Sequence, residues 1–409
     1  MGNSELWLFT MRFPFGNGEA FLENELPILA KGFQRVRIIP LLPIGEPRPL
    51  PLNVETVRLF DNEQVYRPLS IWHMALDLPR VLKVWRQAKA SAPTPAIFKT
   101  HRREFLSQLR QAFNRERLLR KRMADEYDAQ RVTPYSYWSS DWATVLSIWR
   151  LRDNRLHFVS RMMGFDMFDH RAPDGWQRFQ ELHVAQADHI YVIAEAGLAH
   201  MQERFPDQRQ KFSISYLATS DHGLGPWTPE AELRIVSCAN LVELKRVHLI
   251  AEALHRVKGP VRWTHFGEGP ERARVEAVVK TLPKNVRVEV MGSRPNAEVL
   301  AWYKTNPVDV FVHASYTEGG APVALQEAAS FGIPLVAADA GGVREIVTPD
   351  SGILLPNALS PEMLGAALDR FKDSGWYDAA ARSRVRSFWA SKFNAEEVYA
   401  RLLEELLNP

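Results

Sequence analysis

The chain is poor in the features that would assign it quickly to a class. It has a single cysteine, Cys238, in 409 residues, which excludes an intrachain disulfide and fits a reducing compartment. Cys238 lies in the apolar run RIVSCANL and reads as a buried strand thiol rather than a nucleophile. No apolar run approaches the ~18 residues needed to span a bilayer. The start, MGNSELWLFTMRFPF, lacks a basic leader with a continuous apolar core. It also misses the myristoylation pattern, because Leu6 stands where Ser or Thr is wanted. Net charge is small, with 51 Lys and Arg against 48 Asp and Glu, too little to argue for nucleic acid. Internal repeats and low-complexity tracts are absent. The expectation is a cytoplasmic protein of ordinary composition, 46% hydrophobic and 24% charged, and long enough for two domains.

What is present alternates between short apolar runs and helical patterns, as βα units do. LWLFTM, VRIIPLL, LHFVSR and HIYVIA read as strands in the first half. RIVSCA, VRWTHFG, VRVEVMG, DVFVHAS and IPLVAAD do so in the second. Helices are expected at 242–257, 271–281, 296–305 and 323–331. The fold class is α/β, with two parallel sheets covered by helices on both faces. Gly223, Gly225, Pro226 and Pro229 mark a loop between the halves. Domains are therefore expected at 1–222 and 223–386, with a terminal amphipathic helix at 387–409 that could dock on either. Ligands of such sheets bind beyond the carboxyl ends of the strands, so the following loops carry the chemistry.

Five loops carry candidate site residues. Lys245 and Arg246 follow RIVSCA at the expected start of a helix, where the macrodipole disfavours cations. They are a diphosphate site or a pair of solvated charges. Gly267 and Gly269 bracket Glu268 after VRWTHF; either a ligand approaches there or the chain merely turns. YTEGGAP follows DVFVHAS and carries Glu318, Gly319, Gly320 and Ala321. Pro322 and Val323 then open a helix that holds Glu327. A carboxylate accepts two hydroxyl hydrogen bonds, which suits the vicinal hydroxyls of a sugar. Gly341, Gly342 and Glu345 follow IPLVAAD, so three carboxylates gather at two neighbouring strand ends. Gly16 and Gly18 follow the first strand, with Glu19 opening a helix. Their spacing is not a dinucleotide fingerprint, and a nicotinamide enzyme is not favoured.

SCANLVELKRVHLIAEAL, WTHFGEGP and DVFVHASYTEGGAPVALQEAASFGIPLVAADAGGVREIV together resemble retaining glycosyltransferases of family 4, which have the GT-B fold. FPFGNGEAFLENEL and SRMMGFDMFDHR are similar to a subgroup that builds bacterial surface or exported polysaccharides. The resemblance implies two Rossmann-like domains facing a cleft, the first on the acceptor side and the second binding a nucleotide-sugar. By position, it implies that Lys245 with Arg246 holds the diphosphate, and that Glu318, Gly319 and Gly320 contact the transferred sugar. Ala321, Pro322 and Val323 continue that donor loop, and Glu327 takes the ribose. Gly16 and Gly18 would approach the donor phosphates, while Ser315, Gly341 and Gly342 shape the pocket. Ser293 and Arg294 would lie near the base, with Asn240 and Gly267 in the neighbouring turns. Three positions depart from the pattern. Glu318 and Glu327 are one residue farther apart than is usual, Asn240 replaces an arginine, and Met163 replaces a histidine expected beside the sugar.

The implied reaction moves a sugar, with retention, from a UDP- or GDP-sugar to a saccharide or lipid-linked saccharide. No cofactor and no metal are expected, and nucleic acid is not a partner. Met163 motivates an alternative, a catalytically impaired nucleotide-sugar-binding partner subunit; a UDP-sugar epimerase of the same fold is a further rival. Residues 99–131 hold ten Lys and Arg against five Asp and Glu. Phe105, Leu109, Ala112 and Phe113 share one helical face there. That face would either bind an anionic membrane surface, making the protein peripheral, or pack on the sheet.

Overall fold

Strands form where nearly every residue of a short run is apolar, and both faces of such a run must then be covered. Trp7, Leu8 and Phe9 of the first run are fully buried, as a parallel strand under helices on both sides requires. The computed structural model describes residues 4–16 and 18–408, Asn62 by its backbone alone. It divides into two units, Met1–Ser215 with Tyr399–Pro409, and Tyr216–Val398. The loop glycines and prolines and the terminal amphipathic segment place these boundaries at 222 and 386 instead.

The first unit holds β1 (Glu5–Thr10), β2 (Arg35–Pro40), β3 (Val54–Thr56), β4 (Val132–Ser136), β5 (Val159–Met162), β6 (His189–Val192) and β7 (Phe212–Ile214). Their order is β3-β2-β1-β4-β5-β6-β7, parallel throughout. The second unit holds β8 (Leu233–Cys238), β9 (Val261–Phe266), β10 (Val286–Val290), β11 (Val310–His313), β12 (Leu335–Ala338) and β13 (Gly352–Leu355). These lie in the order β10-β9-β8-β11-β12-β13, again all parallel. Each unit is thus a Rossmann-like α/β sheet. The order reverses beside β8, which opens a crevice at the carboxyl ends of β8 and β11.

The strands missing from the sequence reading are short or carry breakers. β3 and β7 have three residues each, β4 contains Pro134, and β13 begins at Gly352. Proline and glycine argue against a central strand when read locally. The helix expected at 242–257 is split. A 3-10 turn, Glu243–Lys245, ends at Arg246, whose φ of 47° places it in the left-handed region, and the α-helix runs Val247–Leu254. Arg246 therefore caps this helix rather than lying in its first turn. Glu19 likewise does not begin a helix. It stands at φ 54° ahead of the helix Leu22–Gly32, where its carboxylate accepts the backbone N–H groups of Met11, Arg12 and Phe13.

The terminal segment forms two helices, Ala379–Phe393 and Ala395–Leu407, broken at Asn394. Trp389 of the first donates its indole N–H to Thr219 in the second unit. From Tyr399 onward the chain belongs to the first unit, where Leu403 covers Gly32 and Thr133 donates to the Leu406 carbonyl.

The long basic helix is Pro95–Met123. Its face of Phe105, Leu109, Ala112 and Phe113 is at most 3% exposed and belongs to a core shared with Ile148, Trp176 and Leu182. Phe105, Leu109 and Phe113 each contribute roughly 1.5–3 kcal/mol by leaving water. Exposing that face to lipid would forfeit this packing, so the membrane reading of these four residues is not supported.

Candidate functional site

At the carboxyl ends of β8 and β11, two loops close on each other around one ion-pair cluster. Glu318, in the loop after β11, accepts hydrogen bonds on the same oxygen from Lys245, in the loop after β8, and from His313 at 2.9 Å. Burial alone would raise its pKa; the His313 hydrogen bond and the Lys245 charge outweigh that and bring it down to about 2. Glu318 is therefore a fixed carboxylate at neutral pH.

Arg246 does different work from Lys245. Its guanidinium donates to the carbonyls of Ala314 (2.7 Å), Ser315 (3.2 Å) and Asn357 (3.0 Å) and lies over the Tyr316 ring. It ties the loop after β8 to the loop after β11, while the Lys245 ammonium points to the carboxylate. Tyr316 N–H to the Leu244 carbonyl, at 2.9 Å, adds a backbone link between the same loops.

Glu327, inside the helix Val323–Ser330, is 7% exposed. Asn296, first residue of the helix Asn296–Thr305, donates to it at 2.8 Å. Burial dominates here and raises the pKa to about 7, which that hydrogen bond only moderates. Cys238, the half-buried last residue of β8, feels the Glu327 charge. Its thiol is pushed up to about 12, mainly by burial, so it is no nucleophile.

The glycines of the site serve close backbone approach. A Cβ on Gly341, at φ 57°, would meet the Glu318 carbonyl at 2.1 Å, and one on Gly342 would meet Gly320 at 2.2 Å. The 3-10 turn Gly341–Glu345 thus packs directly on the Glu318 loop, and Glu345 is buried within it. Gly267, at φ 147°, approaches the Ala239 carbonyl in the same way, so its turn supports the loop of Asn240, which is exposed. Ser315 is fully buried and donates to the Thr317 carbonyl at 3.1 Å. Ala321 is buried and accepts from Gln326, and Pro322 caps the helix ahead of Val323. Ser293 and Arg294 are exposed in the turn after β10, with Arg294 donating to the Met291 carbonyl. Lys245, Arg246, Ser315, Glu318 to Gly320, Gly341 and Gly342 are therefore brought together, Ala321 to Glu327 continue from them along the chain, Gly267 supports the loop of Asn240, and Ser293 and Arg294 lie in the turn before Asn296, which donates to Glu327.

Three residues of this cluster escaped the sequence reading: His313, Asn296 and Asn357. The only local signal was position, since His313 ends β11 and Asn296 begins a helix in the segment after β10.

The first unit carries the remaining expected residues. Gly16, at φ 62°, and Gly18 both accept hydrogen bonds on their carbonyls from Arg48; Asn17 lies outside the described residues. Met163, following β5, is 4% exposed, and its backbone N–H donates to Asp166 at 2.6 Å. Burial raises the Asp166 carboxyl to about 8. A cavity of about 560 Å³ in this unit is lined by Phe165, Asp166, Trp176, Gln180 and His183 among others. Its rim includes His101, Glu104 and Asp174, whose ligand atoms lie within 4.8 Å of one another. Arg178 already bonds both carboxylates, so a guanidinium occupies the place a cation would take.

The profile of "Glycosyl transferases group 1" matches residues 227–387. Among curated proteins, a colanic acid biosynthesis glycosyltransferase, WcaL of Escherichia coli (strain K12), is 29% identical over 47% of this chain and 48% of its own length. The amylovoran biosynthesis glycosyltransferase AmsK of Erwinia amylovora is 30% identical over 42% of this chain and 44% of its own. The matches span about half the length of these relatives. Among solved structures, Anabaena HepE, in complex with UDP, aligns over 99% of this chain and 100% of its own, with a TM-score of 0.67 at 14% identity. The lipopolysaccharide outer core galactosyltransferase WaaB gives 0.67 over 99% of both chains at 13% identity. Residues 227–387 are thus similar to the group 1 glycosyl transferases, and the two parallel-sheet units have the GT-B glycosyltransferase fold.

Proposed function

We propose that the chain is a glycosyltransferase of polysaccharide biosynthesis, moving a sugar from a nucleotide-diphosphate-sugar to a saccharide or lipid-linked saccharide. The observation that carries this reading is the Lys245–Glu318–His313 cluster at the reversal of strand order. It combines a cation for a diphosphate with an ionised carboxylate for sugar hydroxyls. The group 1 profile over 227–387 and the polysaccharide-building relatives support the same reading.

In the proposed reaction the donor diphosphate draws the Lys245 ammonium from Glu318. The freed carboxylate, still ionised, accepts hydroxyl hydrogen bonds from the transferred sugar. Arg246 keeps the two loops in register rather than neutralising phosphate. Gly319, Gly320 and the first turn at Val323 offer backbone N–H groups, and Glu327 reads the ribose hydroxyls. Gly16 and Gly18 are assigned to the donor phosphates by resemblance. Catalysis rests on orientation and on stabilising leaving-group charge, which needs no protein nucleophile and no metal. Retention at the anomeric carbon belongs to this proposal, as does UDP or GDP as the carrier.

The test is to screen UDP- and GDP-sugars by thermal shift. Transfer to a saccharide acceptor is then followed, with the product anomer read by NMR and EDTA added to a parallel reaction. A retained product unaffected by EDTA is expected. An inverted product would overturn retention. Binding without turnover would leave a nucleotide-sugar-binding subunit in which Met163 has replaced the working residue, and Met163→His would then be the variant to assay.

A further inference from the structure

Exposed apolar surface in the first unit is concentrated on one pair of helices, Ile71–Leu76 and Leu78–Ser91. Trp72 is 85% exposed, Leu76 80% and Ile71 73%, while Leu78 and Leu82 follow at 50% and 40%. Trp72 and Leu76 are four residues apart and share a helical face, as do Leu78 and Leu82. The pair is anchored from its other side, where Leu69, Met74 and Val84 join the core built around Phe105 and Trp176. The exposed residues are thus the outer face of a packed element.

Along residues 71–103 the charges are nearly all of one sign. From Ile71 to Arg103 there are seven Lys and Arg and a single acid, Asp77. Asp77 is buried and held by Arg80 and Arg152. Lys83, Arg86, Lys89, Lys99, Arg102 and Arg103 are exposed, and among the described residues no ion pair engages them. An apolar face of this kind marks a protein or a membrane contact. A tryptophan beside aliphatic residues suits the membrane–water interface. Unpaired cations along the same segment suit anionic headgroups, which attract Lys and Arg within a Debye length. A protein partner would need both an apolar patch and a matching acidic rim; a bilayer with anionic lipid supplies the two together.

We propose that this helix pair docks the protein on an anionic lipid surface, with Ile71, Trp72 and Leu76 in the interfacial layer. Lys83, Arg86 and Lys89, with Lys99, Arg102 and Arg103, then contact the headgroups. The lipid contact lies on helices that precede the long basic helix, whose own apolar face is committed to the core. The inference does not depend on the catalytic reading.

The experiment is flotation of the full chain with vesicles of phosphatidylcholine containing phosphatidylglycerol, against phosphatidylcholine alone. The protein floats with the first at low salt and not with the second. Raising salt from about 0.05 to about 0.5 M lowers the bound fraction about tenfold or more. Trp72→Ser with Leu76→Ser gives a similar loss without changing the melting temperature, because both side chains are exposed. Lys83→Glu with Lys89→Glu does the same. Failure to float with anionic vesicles overturns the proposal, as does a Trp72/Leu76 variant that floats like the parent. Self-association without flotation, abolished by the same variant, overturns it in favour of a second protein copy.

Discussion

Glu318 and Glu327 lie in one loop-and-helix segment, yet the structure holds their carboxyls in opposite ways. Glu318 has a cation and an imidazole on one oxygen and a pKa near 2. Glu327 has one amide donor, no cation within bonding distance among the described residues, and a pKa near 7. Both are substantially buried, so burial does not separate them; the partner does. The difference suits a division of labour. A carboxylate that must face a sugar stays charged at any physiological pH. One that waits for ribose hydroxyls can rest partly protonated and ionise as they arrive.

The largest expected effect comes from removing what makes Glu318 the charged member. Lys245→Met deprives Glu318 of its cation and the donor of its leaving-group partner. Turnover, followed as nucleotide release, should fall about 10²–10³-fold with the fold retained by circular dichroism. A loss below about tenfold would mean that the cation is not the one that stabilises the leaving group.

The second test concerns the pH dependence of stability. The Glu327 pKa is raised in the folded chain from its ordinary value near 4.5 to about 7. The folded state therefore binds its proton more tightly than the unfolded state, and stability falls as pH rises through that window. Glu327→Gln removes the dependence. Relative to the parent it should gain on the order of 3 kcal/mol between about pH 5 and about pH 9, measured by urea unfolding. Parallel pH curves for parent and variant would refute the raised pKa. Glu318 has the opposite sign, because its stability contribution is present above its ordinary value and is lost as pH falls toward 2.

A third test addresses the loop rather than the charge. Gly341→Ala places a methyl group against the Glu318 carbonyl at a left-handed φ and should cost about 2 kcal/mol in unfolding free energy. Gly259→Ala is the control. It sits in open space and should change stability by less than about 0.5 kcal/mol.

The smallest effect is expected at Asn296. Asn296→Ala removes the donor that moderates Glu327 and should shift the pH midpoint of donor affinity upward by less than about one unit, the worth of one hydrogen bond. Isothermal titration with the donor across that range reads it. A downward shift would mean that the amide favours the protonated carboxyl.

Much of the second unit was legible from residues alone. RIVSCA, VRWTHF, DVFVH and IPLVAA became β8, β9, β11 and β12, because a parallel strand under two helical layers needs a short, largely apolar run, while the alternating VRVEV became the edge strand β10; both patterns are local. The loops after them were legible for a similar reason, since Glu318 among glycines and Pro322 at a helix start are turn chemistry. The left-handed cap at Arg246 had no such signal: its conformation is held by the carbonyls of Ala314, Ser315 and Asn357, which lie far along the chain.

The amino-acid order by itself determined the α/β class, the alternation of strand and helix, and the loops in which the carboxylates stand. Only the tertiary structure decided which cation and which amide those carboxylates meet, and with them the opposite pKa directions of Glu318 and Glu327. It also decided that Phe105, Leu109, Ala112 and Phe113 are core while Trp72 and Leu76 face outward, although all six are equally apolar in the sequence. The physical reason is common to both: burial and partnership are properties of groups brought together from distant parts of the chain, and periodicity reports only what neighbours in sequence share.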